Sequence, residues 1–162
     1  LSPLEMIKAA TEIETRLAIA EPGKAAEFTS NRLKLEQDLR ATHLKIKERL
    51  KELNGKDVLE YHKDFFYFSK AYGLQPAGSI EEIPGVSPSA ARLGRIALEA
   101  KRKGVSMAFA SEHSPKSILE KFKELSGLRV VVLPTSLSDS LSLDAYDKWQ
   151  NLLADKILKE MQ

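Results

Sequence analysis

The sequence predicts an α/β fold: a parallel sheet of about four strands with helices on both faces, preceded by two helices. Three observations predict it. From Gly55 onward, short apolar runs alternate with helix-length segments, the order of a parallel sheet joined by right-handed crossovers. The run 128–133 is apolar apart from Arg129, as expected of a strand covered on both faces. The first third of the chain instead carries helical periodicity and helix-start signals.

The elements follow in order. Ser2 can cap the first helix, Pro3 sits where a missing N–H costs nothing, and Glu5 completes a capping-box pattern. Leu4, Ile7, Thr11, Glu14 and Ala18 then share a face, with Ile13 and Leu17 beside them. Glu21-Pro22-Gly23 breaks this helix. The second is expected over 24–53, where Phe28, Leu35, Leu39, Ile46, Leu50 and Leu53 keep one face apolar. The opposite face carries Lys34, Glu36, Lys45, Lys47 and Glu48, and His43 reads as a surface residue among them. Asn54-Gly55 is a helix stop.

A strand follows over 57–61 and a helix over 63–72, holding Phe65, Phe66, Tyr67, Phe68 and Tyr72. Consecutive helical residues point around the axis, so this aromatic set reads as core and not as a stacking platform for bases. Gly73 ends the helix, 77–80 is a short extended piece, and a Pro/Gly loop runs through 84–86. Ser87-Pro88 and Ser114-Pro115 each read as a cap-plus-proline helix start, with Gly104 and Gly127 as the matching stops and a strand over 105–110 between them. The basic run Lys101-Arg102-Lys103 complements a helix C-terminus. A Ser-rich loop over 134–142 leads into a last helix from about 143.

Composition narrows the function. Hydrophobic residues make up 43% and charged residues 30% of 162, enough apolar material for a core. Lys+Arg at 25 against Asp+Glu at 23 leaves +2, which gives no electrostatic reason to expect nucleic acid as partner. Zero cysteines exclude disulfides, thiolate metal sites and thiol nucleophiles. No phosphate loop, GxGxxG or GxSxG motif occurs, which argues against nucleotide-binding and hydrolase readings. The chain opens on Leu1-Ser2-Pro3 with neither initiator Met nor leader pattern, and so reads as a processed form or a piece of a longer protein.

Ligands of an open parallel sheet bind outside the carboxyl ends of its strands. His62 sits at such an end, at a strand-to-helix junction. An imidazole there can ligate a metal or act as a base; it can equally be a hydrogen-bonded residue packed at a helix start. Glu112-His113 occupies an equivalent place, either as carboxylate and imidazole or as solvated loop. Pro134-Thr135-Ser136 ends the last strand, with Asp139 beyond it.

Two long stretches carry a resemblance. Residues 61–74, Tyr-His-Lys-Asp-Phe-Phe-Tyr-Phe-Ser-Lys-Ala-Tyr-Gly-Leu, resemble the C-terminal-lobe signature of the zinc/manganese ABC-transporter solute-binding proteins. Residues 78–89, from Gly78-Ser79-Ile80-Glu81-Glu82 through Pro84-Gly85-Val86-Ser87-Pro88-Ser89, are similar to that family's next signature. Leu1-Ser2-Pro3-Leu4 resembles the start of its long linker helix.

The resemblance implies a linker helix over 1–21 and a C-terminal α/β lobe over 22–162, with an N-terminal lobe absent from this chain. It implies capture of Zn2+ or Mn2+ between two lobes outside the cytoplasm, in the periplasm or on a lipoprotein anchor. The cation then passes to an ABC-transporter permease, with no catalysis. His62 matches the family's third ligand. The usual fourth, an Asp, falls at Ser136, so Asp139 is the nearest substitute, with Glu112 as a further candidate. Two rivals remain on these residues: a small α/β enzyme using His62 as base, with Asp139 or Glu112 near it, and an interaction or adhesion domain whose metal site has decayed.

Overall fold

A computed structural model of the chain describes residues 2–83, 85–137 and 142–161. Helix α1 (Pro3–Ala20) is capped as expected: the Ser2 hydroxyl accepts the Glu5 N–H at 3.4 Å. The Glu5 carboxylate turns to Lys8 at 2.7 Å. A single 3-10 turn (Pro22–Lys24) leads into α2 (Ala25–Arg49), antiparallel company for α1. Arg32 joins the two helices by bonding Glu14 at 2.6 Å while also reaching Glu36. The helix expected over 24–53 ends early, and Lys51–Leu53 is a separate 3-10 turn.

Strand β1 (Asp57–Glu60) is followed by a 3-10 turn (Lys63–Phe65) and the short helix α3 (Phe66–Ala71). Then come β2 (Gln75–Ser79), α4 (Ala90–Lys103), β3 (Met107–Ser111), α5 (Lys116–Ser126), β4 (Arg129–Leu133) and α6 (Leu143–Lys159). All strand pairings are parallel and the order is β2-β1-β3-β4. Pro76 is tolerated because β2 is an edge strand.

Side chains alternate across the sheet and build a core on each face. Val58, Met107, Phe109, Val131 and Leu133 pack on one face with Ile46, Leu50, Phe65, Phe68, Leu153 and Ile157, from α2, the α3 region and α6. Leu59, Ala108 and Ala110 pack on the other with Leu93, Ala97, Leu119 and Phe122, from α4 and α5. A smaller cluster of Ile7, Leu39 and Tyr146 joins α1, α2 and α6. The Tyr72 hydroxyl donates to Gln150 Oε1 at 3.0 Å, a buried polar link between α3 and α6. Among the described residues no helix is long and apolar enough to cross a membrane.

Four local expectations fail, the last of them in part. His43 is buried, not superficial: it is 8% exposed and stacks on Tyr72 with ring centroids 5.4 Å apart. It lies in helical phase with Leu39, Ile46 and Leu50, and that phase outweighs its charged sequence neighbours. Helix α4 starts from Ser89, whose hydroxyl accepts the Arg92 N–H at 3.3 Å, and not from Ser87-Pro88. Two serines could cap, and the one nearer the apolar period beginning at Leu93 does so. Ser114 does not cap α5; its hydroxyl accepts the Ser111 N–H at 3.2 Å. The aromatic run divides, with Phe65 and Phe68 in the core while Phe66 and Tyr67 are exposed.

Candidate metal centre

Strand pairing continues past β1 and fixes the residues that follow it. The Tyr61 N–H donates to Phe109 O at 2.7 Å, and Tyr61 O accepts the Glu81 N–H at 2.8 Å. The chain leaving β1 is thereby held between the ends of β2 and β3. His62 follows in extended conformation and then caps the 3-10 turn, with its carbonyl accepting the Asp64 N–H at 2.8 Å.

The imidazole of His62 faces Asp64, Nδ1 to Oδ1 at 3.0 Å. An ionised carboxylate there accepts the Nδ1 proton, which leaves Nε2 as a lone-pair donor. The side chain is 40% exposed, open enough for a cation to reach it.

Beneath the histidine lies Glu60, only 1% exposed. Its Oε2 accepts the Phe65 N–H at 3.0 Å and so anchors the turn that carries His62. Its other oxygen has no hydrogen-bond partner. Burial pushes this carboxyl up to about 7, against the lowering effect of the Phe65 N–H. It is therefore half protonated near neutrality.

From the neighbouring strands, Ser111 and Ser114 close a tight turn after β3: the Ser114 N–H donates to Ser111 O at 3.0 Å and the two hydroxyls meet at 3.3 Å. Glu112 and His113 occupy the centre of that turn. The Glu112 carboxylate spans to the end of β4, accepting the Thr135 N–H at 3.0 and 3.1 Å and its hydroxyl at 3.3 Å. Partial burial acts to raise this carboxyl, but the N–H donors, His113 and the Thr135 hydroxyl hold it below its ordinary value. From β2, Glu81 Oε1 accepts the Gly85 N–H at 3.0 Å and secures the next loop.

These loops surround a depression of about 320 Å³ lined by Tyr61, His62, Asp64, Glu81, Ser111 and His113. It is open: the His113 side chain is 77% exposed. Among the described residues no three His, Asp or Glu side chains converge closely enough to hold a metal ion. Of the sequence candidates, His62 lines the depression, while Glu112 is engaged with Thr135. Ser136 is exposed just beyond β4, and Asp139 lies outside the described residues.

Asp64 and the buried Glu60 did not stand out from sequence. Glu81 and His113 become neighbours of His62 only once β1 is known to lie between β2 and β3. The one local signal was the spacing of Asp64 two residues after His62.

The family model for the zinc-uptake complex component A, periplasmic (ZnuA) matches residues 1–160. The high-affinity zinc uptake system protein ZnuA of Paracoccus denitrificans is 32% identical over 107 residues, 65% of this chain and 33% of that protein. Its counterpart in Haemophilus ducreyi is 26% identical over 156 residues, 96% of this chain and 50% of that protein. The chain thus spans half or less of the length of these curated relatives. In three dimensions it is similar to the solute-binding protein FpvC of Pseudomonas aeruginosa in complex with Mn2+, at a TM-score of 0.83 and 21% identity. That match covers 99% of this chain and 61% of the other and shows a shared fold. On a match that runs from the first residue almost to the last, the chain belongs to the ZnuA family of periplasmic zinc-uptake components.

Proposed function

We propose that this chain forms the C-terminal half of a two-lobed receptor, with 1–21 as the linker helix and 22–162 as the lobe. The receptor captures a divalent transition metal, Zn2+ or Mn2+, outside the cytoplasm and passes it to an ABC-transporter permease. The carrying observation is His62: an exposed imidazole at the carboxyl edge of a parallel sheet, its Nδ1 held by Asp64 at 3.0 Å and its Nε2 free. A second lobe would close over the open depression and supply further ligands, since a closed zinc site takes about four.

The metal is cargo and no bond is made or broken in it. His62 binds it; Asp64 orients His62; Glu60 holds the turn on which both sit. Asp139, between β4 and α6 in sequence, is proposed as the carboxylate ligand. Glu112 is the remaining candidate, and a cation would have to compete with Thr135 for it. Release follows when the transporter separates the lobes and removes the ligands of the other half.

Calorimetric titration of the intact protein with Zn2+ and with Mn2+ tests the reading. His62→Ala is expected to weaken binding at least tenfold. Unchanged affinity in that variant would remove His62 from the site.

A further inference from the structure

We propose that His113 is a second imidazole donor to the same cation. The chain would then present a two-histidine face that favours nitrogen-preferring divalent metals such as Zn2+ over Mn2+. The inference rests on the metal-capture reading above and adds a residue to it.

The turn after β3 separates its two central side chains. Ser111 and Ser114 clamp it at both backbone and hydroxyl level. Glu112 leaves toward β4 and bonds Thr135, while His113 borders the depression that holds His62. The two histidines come off adjacent strands, because β1 pairs directly with β3 and the Tyr61 N–H extends that pairing to Phe109 O at 2.7 Å. Both side chains line the same depression, so both imidazoles are offered to a cation seated there.

The two rings are held differently. Nδ1 of His62 lies 3.0 Å from Asp64 in a hydrogen bond, and Nε2 of His113 lies 3.5 Å from Glu112, beside it and not bonded to it. A carboxylate–histidine pair such as Asp64–His62 fixes the tautomer and raises the basicity of a metal-binding imidazole. His113 has no other hydrogen bond or ion pair among the described residues, and it does not cap α5. At 77% exposure it can rotate onto a cation without disturbing the core. Imidazole nitrogen binds Zn2+ far better than Mn2+, whereas carboxylate oxygen suits Mn2+, so a second histidine moves the preference toward zinc.

The test is a Zn2+ titration of intact protein labelled with 15N-histidine, following the imidazole nitrogens, with the buried His43 as internal control. Calorimetry of His113→Ala with Zn2+ and Mn2+ runs beside it. The expected result is that the His113 ring signals move together with those of His62 at the same metal ratio. His113→Ala should lower zinc affinity about tenfold or more while Mn2+ affinity falls less, narrowing the ratio between them. If His62 responds and His113 does not, or if the Zn2+/Mn2+ ratio is unchanged in the variant, the second donor is wrong and metal capture through His62 stands. If zinc moves neither ring, both fail.

Discussion

Replacing Glu60 with Gln removes a charge from beneath the proposed metal ligand while keeping an oxygen that can accept the Phe65 N–H. The size of the effect follows from burial. The carboxyl is lifted from 4.5 to about 7 in the folded chain, so the fold holds its proton more tightly than the unfolded chain does. Its contribution to stability is therefore fully present below 4.5 and is lost as pH rises through about 7. At 1.36 kcal/mol per pH unit, that difference is about 3 kcal/mol. Chelator-treated wild type and Glu60→Gln should be unfolded in urea at pH 4.5 and at pH 8. The variant is expected to gain about 3 kcal/mol on the wild type between the two conditions, or roughly 6–12 °C in Tm for a domain of this size. Titrating groups that do not interact with Glu60 cancel in that comparison; Asp64, His62 and Lys63 couple to it. An identical difference at both pH values would mean that the folded carboxyl is solvated, and the account of its burial would fall.

Three further outcomes are expected. His43 is held below its ordinary value by burial, then by Lys47 and Arg40, so its contribution is complete above 6.5 and is lost as pH falls below it; His43→Leu should flatten that part of the stability profile in urea titrations. Glu112→Ala should free the Thr135 N–H, seen as faster amide hydrogen exchange at Thr135, at a cost of about 1 kcal/mol. Gly73→Ala should cost about 1–2 kcal/mol by thermal unfolding, because Gly73 has φ +80° and an added Cβ would sit 2.2 Å from Asn54 Oδ1, which that side chain must turn to relieve.

Much of the architecture was legible because it depends on local rules. The Ser2 cap, the glycine stops at Gly104 and Gly127 and the apolar run of β4 each act within a few residues of their own position. His43 was misread because its charged neighbours in sequence point elsewhere on the helix; the phase set by Leu39 and Ile46 was the better guide. The start of α4 was misplaced because Ser87 and Ser89 offer the same capping chemistry.

At the site, His62 was legible from its place after a strand. Glu60 was not, because a carboxylate at a strand end is buried here only by flanking strands on both sides. Glu81 and His113 depend on strand order as well, and order is a long-range property that short segments do not encode.

The central claim is that His62 is a metal ligand, and a crystal of the intact protein grown with Zn2+ tests it most directly. Anomalous scattering at the zinc edge should place the ion about 2.0–2.1 Å from His62 Nε2, with Nδ1 still on Asp64. Zinc bound elsewhere while that nitrogen stays free would contradict the account.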